Sequence, residues 1–116
     1  SGTGISNLYQ RITKRKISGK EISKLAREGD INALKAWKEF TQALAYALSW
    51  TVNIVDPEVV IIGGSVMHSS DIFWDSMVSL FKKYICPQTA ASIQLKPAGL
   101  KDNAGFMGAA ALMFVE

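Results

Sequence analysis

Apolar residues recur every three or four positions through the first half of the chain, which is the spacing of one helical face. This pattern predicts three helices, over residues 4–13, 20–28 and 31–55. Gly29 and Asp30 separate the second helix from the third, because glycine commonly follows a helix end and an aspartate side chain can cap the next helix. Asp56 and Pro57 end the third helix, since proline disfavours the helical conformation in the residue before it.

The longest predicted helix has two halves that differ in polarity. In its first half, large apolar residues at spacings of three and four line one face: Leu34, Trp37, Phe40, Leu44 and Leu48. Beyond Tyr46 the polar face thins, and the run LSWTVNIV is apolar nearly all round. A helix of this kind is buried on most sides, either by its own domain or by a partner.

The second half of the chain alternates strands with helices. The predicted order is strand, helix, strand, helix, over residues 59–62, 72–84, 92–98 and 104–115. The continuous run VVII is typical of a parallel-sheet strand that is covered on both faces. Ser69, Ser70 and Asp71 can cap the helix that follows. Two strands are too few for a doubly covered sheet, so we expect the others to lie in a longer parent protein or in a partner.

Two glycines, Gly63 and Gly64, directly follow the first predicted strand. Ligands of open α/β sheets bind beyond the carboxyl ends of strands, and glycine leaves the main chain open to phosphate or ribose oxygens. The next helix would point its positive end toward the same crevice. A tight turn without any ligand explains the two glycines equally well. The sequence DNAG, 102–105, would form a second lip of the crevice, although a helix cap explains it better locally.

Composition and charge narrow the class of protein. The 116 residues suffice for one domain, and 48% hydrophobic with 20% charged residues is typical of a globular chain. The net charge of +3 and the basic residues between positions 14 and 27 accompany no nucleic-acid recognition motif, so we expect no nucleic-acid partner. The single cysteine, Cys86, excludes an internal disulfide and a cysteine-based zinc site. With no signal peptide and no apolar run of about 20 residues, we expect a cytoplasmic protein without a membrane partner.

Spacing alone reveals no complete catalytic set. A kinase or hydrolase needs a base close to its substrate. Asp56 precedes the strand, at the wrong end, while Asp71 and Asp75 lie on the following helix without a partner acid or histidine. His68 has no second metal-ligand residue beside it and is expected on a surface loop. We therefore predict no catalytic residue and no metal ligand within this chain.

Two stretches resemble one known family in composition and in order. The run AREGDINALKAWKEFTQALAYALSWTVNIVDPEVVIIGGSV, followed by LKDNAGFMGAAAL, resembles the C-terminal half of ROK proteins. This family of repressors and sugar kinases includes bacterial glucokinases. In it, GD opens a long helix, DPE precedes a strand with a glycine turn, and AG-x-x-GAA lies near the end. The resemblance implies an α/β fold: a partial actin-like ATPase (ribonuclease-H-like) fold, helix-rich with few strands, in which residues 1–116 form an incomplete nucleotide-binding domain.

The resemblance also implies cofactor-binding residues. Three residues match the adenosine-side turn of the family: Gly63, Gly64 and Ser65. Ser1, Gly2 and Thr3 resemble the Ser-Gly-Thr that follows the sugar-contacting segment of these kinases, which makes Gly2 and Thr3 predicted ATP-binding residues. The family's first phosphate loop, catalytic aspartate, zinc-binding cysteines and sugar-contacting acids do not occur here. ATP and Mg²⁺ would therefore act with the parent protein, and this chain alone is predicted to be inactive.

Three functions remain open at this point. The first is a fragment of an ATP-dependent, glucokinase-like sugar kinase that phosphorylates a hexose hydroxyl. The second is the sugar-sensing domain of a ROK transcriptional repressor. The third is a helical dimerisation module whose glycine turn binds nothing. The apolar segment from Trp50 to Val55 and the thin last helix favour a homodimer in each case.

Overall fold

The computed structural model describes residues 2–55, 59–85 and 93–97. In chain order, its elements are α1 (Gly2–Thr13), α2 (Gly19–Arg27), α3 (Ile31–Val55), β1 (Val59–Ile62), a 3-10 helix (Ser65–Ser69), α4 (Ser70–Tyr84) and β2 (Gln94–Pro97). This order confirms the helices and strands that the residue spacing predicts over this part of the chain. The last predicted helix (104–115), the DNAG segment and Cys86 lie outside the described residues.

The junction between α2 and α3 follows the predicted chemistry. Gly29 adopts a positive φ of 91°, which glycine reaches without a steric penalty. The Asp30 carboxylate then accepts a hydrogen bond of 2.9 Å from the Ala33 amide, in the first turn of α3. At the start of α2, the Ser18 hydroxyl accepts a hydrogen bond of 3.2 Å from the Glu21 amide. These caps fix where the two helices begin.

The two strands form a parallel pair, as the apolar run VVII predicts. Val59 lies opposite Gln94 and Ile62 lies opposite Pro97. Along β1, Val60 and Ile62 are buried, whereas Val59 is exposed and Ile61 is half-buried. Within the described residues only one set of alternating side chains is fully buried, so coverage of β1 on both faces stays a prediction for the parent protein or a partner.

The core lies on α3, between α4 on one side and the α1–α2 pair on the other. Trp37 stacks on Phe73 of α4 with ring centroids 5.7 Å apart and planes 3° apart, and Phe40 meets both rings edge-on. Leu34, predicted in the buried stripe, is 44% exposed. The buried stripe instead passes through Ala33 and Ala36, whose small side chains allow close packing.

The second half of α3 is covered on one side only. Leu48 and Val52 are fully buried, but Tyr46 and Trp50 are 53% and 56% exposed. Tyr46 contacts the rings of Trp50 and Tyr84, with centroids 6.3 and 5.6 Å away. The expectation of burial on most sides is thus not met by the described residues, and coverage by a partner stays a prediction. None of the described helices is both long and apolar enough to cross a membrane.

Candidate functional site

The turn after β1 is set by its backbone conformation. Gly63 is buried directly after the strand. Gly64 has φ 99° and ψ −177°, a combination that is essentially restricted to glycine. Its carbonyl accepts a hydrogen bond of 3.1 Å from the Met67 amide, which closes the first turn of the 3-10 helix. Glycine at position 64 is therefore required by the turn itself, whether or not a ligand binds there.

A cleft of about 460 Å³ opens beside this turn. Most of its wall comes from α2 and the 3-10 helix, with one residue each from α1 and α3: Ile5, Gly19, Lys20, Ser23, Arg27, Trp37, Ser65, Val66, His68 and Ser69. This volume falls within the range of roughly 300–1,000 Å³ that is usual for small-molecule sites. Volume alone does not distinguish this cleft, since a groove between α3 and α4 encloses about 440 Å³. The position of the cleft distinguishes it, because the cleft adjoins the carboxyl end of a parallel strand.

The described wall of the cleft combines basic and apolar side chains. Lys20, Arg27 and His68 contribute nitrogen-bearing groups, while Ile5 and Val66 contribute apolar surface. No aspartate or glutamate occurs among the described residues of the wall. Such a cleft suits an anionic ligand that also carries an apolar or planar part.

Two polar contacts hold α2 against the segment that follows the glycine turn. The buried hydroxyl groups of Ser23 and Ser69 lie 2.6 Å apart. One helical turn further along α2, Arg27 binds the Asp71 carboxylate in a bidentate pair, with Nε–Oδ2 at 2.8 Å and Nη2–Oδ1 at 2.9 Å. Arg27 Nη2 also donates to the His68 carbonyl at 3.1 Å. We call these four side chains, Ser23, Arg27, Ser69 and Asp71, the polar clamp.

The Arg27 guanidinium also changes the acidity of its partner. Its hydrogen bonds hold the pKa of the Asp71 carboxyl below its usual value of 3.8, and its positive charge acts in the same direction. The pKa of Arg27 is raised in return, chiefly by the hydrogen bond to Asp71. The pair is thus charged on both sides at neutral pH.

The expected capping of α4 is wrong in detail. The side chains of Ser69 and Asp71 bind α2, and Ser69, the residue before α4, makes no side-chain capping hydrogen bond to its first turn. A 3-10 helix lies between the glycine turn and α4, and Ser69, the residue before α4, lines the cleft, so the start of α4 lies beside it. Asp71 lies in the first turn of α4, where its negative charge already offsets the positive helix end. The sequence carries no signal for the Arg27–Asp71 pair, since its members stand 44 positions apart.

Of the five predicted cofactor-binding residues, Ser65 is the one found among the described wall residues of the cleft. Ser65 lines the cleft, and Gly63 and Gly64 immediately precede it. Gly2 and Thr3 form the first turn of α1, and Ile5, two residues beyond Thr3, contributes to the same cleft. Contact of these five residues with a nucleotide stays a prediction.

The chain belongs to the ROK family, whose pattern matches residues 1–115. This confirms the resemblance found in the sequence. A crystal structure of a candidate sugar kinase from Cytophaga hutchinsonii superposes with a TM-score of 0.69 at 22% identity, over 94% of this chain and 40% of the other. The described fold is accordingly a helix-rich α/β arrangement with two parallel strands, and it recurs within that larger structure.

Relatives in the family include kinases and repressors. The chain is 31% identical over 98 residues to a glucokinase from Thermotoga maritima, covering 84% of this chain and 31% of the relative. It is 29% identical over 112 residues to an N-acetyl-D-glucosamine kinase from Histophilus somni, covering 97% and 36%. A xylose repressor from Bacillus spizizenii is 28% identical over 100 residues, covering 86% and 26%. The chain thus spans about a third of the length of the curated relatives it matches.

Proposed function

We propose that this chain is the nucleotide-holding part of an ATP-dependent sugar kinase that phosphorylates a hexose hydroxyl. The observation that carries the proposal is the position of Ser65, which stands after the glycine turn of a parallel strand and lines a cleft with basic residues. The glucokinase and the N-acetyl-D-glucosamine kinase among its relatives support a sugar as the phosphoryl acceptor. For the whole protein, we propose the actin-like ATPase fold.

The cleft fits the nucleoside end of ATP. Ile5 and Val66 offer apolar surface for a planar base, and the main chain at Gly63 and Gly64 can approach a ribose without an intervening Cβ. Lys20, at the second position of α2, places a positive charge at the same cleft, where it would attract phosphate groups. ATP, when bound, supplies the γ-phosphoryl group, and the residues of this chain would bind and orient it.

Magnesium does not fit the described part of the cleft. Mg²⁺ in kinases is held by carboxylates and by the substrate phosphates, and the described wall contains no carboxylate. The one acid of the polar clamp, Asp71, is already bound by Arg27. The described residues also contain no cluster of three or more histidine, cysteine or acidic side chains. We therefore assign the Mg²⁺ ligands, the catalytic base and the sugar-binding acids to the remainder of the parent protein.

Because these groups are assigned to the remainder of the parent protein, we expect the chain to be inactive by itself. Phosphoryl transfer depends on positioning and charge stabilisation by groups on both sides of the transferred phosphoryl. The chain would supply the nucleoside side, and the rest of the parent would supply the acceptor side. We place the parent in the cytoplasm, as a homodimer, in line with the sequence-based expectation.

A second candidate function is the sugar-sensing domain of a transcriptional repressor. The similarity to a xylose repressor favours it specifically, and that similarity covers nearly the same share of this chain as the glucokinase match. In such a parent the cleft would have no phosphoryl to position. Binding of ATP is therefore the property that separates the two candidates.

The test compares the 116-residue chain with the full-length product of its gene. Titration calorimetry with ATP and Mg²⁺ is followed by a coupled assay for ADP release with glucose and with N-acetylglucosamine. We expect the full-length protein to bind ATP and to phosphorylate a hexose, and the isolated chain to show no turnover. A full-length protein that binds a sugar but not ATP would support the repressor. Turnover by the isolated chain would contradict the proposal that the catalytic groups lie in the remainder of the parent protein.

A further inference from the structure

We propose that the polar clamp sets the width of the cleft, so that Arg27 and Ser23 are positioning residues for nucleotide binding. The inference rests on the proposed function, because it concerns the same cleft. It begins with the way α2 is held. Ile22 and Ala26 are buried in the apolar core, whereas Ser23 and Arg27, the residues that follow them, bind the segment after the glycine turn.

The clamp acts at two successive turns of α2. Ser23 and Arg27 are four residues apart and therefore project from the same face of the helix. Ser23 contacts the last residue of the 3-10 helix, and Arg27 contacts the first turn of α4 and the His68 carbonyl. Two contacts one turn apart fix the orientation of α2 as well as its distance, which a single contact could not do.

The clamped segment is continuous with the glycine turn. Only three residues separate Ser65, in the wall of the cleft, from Ser69 in the clamp. Hydrogen bonding within the 3-10 helix makes this connection short and stiff, beginning with the Met67 amide to the Gly64 carbonyl. A movement of Ser69 or Asp71 relative to α2 is consequently transmitted to Ser65 and to the glycines before it.

The remaining packing between α2 and α4 is sparse. The large buried side chains of α4 (Phe73, Met77 and Phe81) pack in the core that α3 dominates. The hydrogen bonds between α2 and the segment 68–71 are made by the polar clamp and the His68 carbonyl, and the Arg27 and Asp71 side chains are 44% and 58% exposed. Loss of the clamp would therefore leave the core in place and allow the cleft to sample wider states. A ligand that needs the narrow state would then bind more weakly, in proportion to the population of that state.

The first experiment measures ATP affinity in the full-length protein. The variants are Arg27→Met, Asp71→Asn and the double variant, with Lys24→Met as the matched control, since Lys24 is an exposed cation on the same helix and does not line the cleft. We expect each single variant to raise the Kd for ATP about fivefold, the ratio that corresponds to a well-formed surface ion pair. The double variant should match Arg27→Met, because that substitution already removes the contact with Asp71 together with the hydrogen bond to the His68 carbonyl. Lys24→Met should leave the Kd unchanged.

A merely structural role predicts a different pattern. It would lower the melting temperature of the Arg27 and Asp71 variants and leave the Kd and the KM for ATP as they are, which would overturn the inference. A positioning role raises the KM for ATP while kcat stays within about twofold of the wild type, because the chemical step lies in other residues. Arg27→Lys, which keeps the charge but loses the bidentate geometry, should fall between wild type and Arg27→Met.

A second experiment tests the cleft without any nucleotide. Spin labels at Glu21→Cys on α2 and Lys83→Cys on α4, both exposed positions, report the distance between the two helices, with Cys86 replaced by serine. The distance distribution should be narrow with Arg27 and broad with Arg27→Met. An unchanged distribution would overturn the clamp even if ATP binds. Absence of ATP binding in the wild type, with a distribution that does broaden, would instead contradict the proposed function and leave the clamp standing.

Discussion

Two interfaces of the molecule are held by different kinds of contact: the interface between α3 and α4, and the interface between α2 and the segment after the glycine turn. On the α4 side, Trp37 stacks on Phe73, and the fully buried Met77 and Phe81 extend the same apolar packing. On the cleft side, α2 meets the segment after the glycine turn through the polar clamp, whose ion pair remains about half exposed. Apolar burial supplies most folding free energy, whereas exposed ion pairs supply little. The comparison teaches that the apolar α3–α4 interface contributes more stability than the polar clamp, so that the clamp can vary without loss of the fold.

The largest expected effect falls on the α3–α4 interface. Phe73→Ala removes a fully buried ring that contacts Trp37 and Phe40, so we expect the free energy of unfolding of the chain to fall by about 3–5 kcal/mol. Urea unfolding followed by circular dichroism measures the loss. Tyr46→Ala is the control, because this ring is more than half exposed, and it should cost less than about 1 kcal/mol. Equal losses in the two variants would break the comparison.

The glycine turn comes next. Gly64→Ala forces a side chain into a backbone region that is essentially restricted to glycine, so we expect a loss of about 1–3 kcal/mol in the same urea experiment. Gly4→Ala is the matched control within α1. A Cβ at position 4 would meet the Phe40 ring at 3.5 Å, an ordinary contact, and alanine is the better helix former by about 0.5–1 kcal/mol. Similar behaviour of the two variants would contradict the turn geometry.

The cap of α3 should contribute a smaller amount. Asp30→Ala removes the acceptor for the Ala33 amide, and we expect the free energy of unfolding to fall by about 1 kcal/mol. Asp30→Ser, which can accept the same hydrogen bond, should recover most of it. Asp75→Ala, at an exposed position inside α4, should change stability by less than about 0.5 kcal/mol. A cap variant that matches Asp75→Ala would show that α3 does not depend on Asp30.

The smallest effect concerns the ion pair and appears only in acid. The pKa of Asp71 is lower in the folded chain than its usual value of 3.8, so the pair stabilises the fold fully above that value. This contribution is lost as the pH falls through the lowered pKa of the folded state. We expect the stability difference between wild type and Asp71→Asn to be below about 1 kcal/mol at pH 7, and to shrink toward zero below pH 3.8. A difference that grows in acid would have the wrong sign for this pair.

The regular elements of the described fold could be predicted from the sequence, because they depend on local signals. The bounds of α3 and the cap at Asp30 follow from apolar spacing and from one short polar side chain. The exposure of Leu34 could not be predicted in this way, since alanine and leucine both count as apolar in a spacing pattern. The partner of each residue decides its burial, and that partner is set by tertiary packing.

The candidate site shows the same limit more strongly. The glycine turn and Ser65 are visible in the sequence because glycine marks an unusual backbone. The clamp is not visible, because Ser23, Arg27 and Asp71 have the exposed-face character of many helical residues and meet only across more than 40 positions. In the sequence, Lys20 is likewise one of several cations in a basic stretch. Only the packing of α2 against the glycine turn places it at the cleft.

The most direct test of the central claim is photoaffinity labelling of the full-length protein with an azido-substituted ATP, followed by peptide mapping. We predict that the label attaches within residues 19–27 or 63–69, and that unlabelled ATP and the Gly64→Ala substitution both suppress it. A label that attaches to the groove between α3 and α4, or only to parts of the protein beyond this chain, would contradict the assignment of the cleft as the nucleotide site.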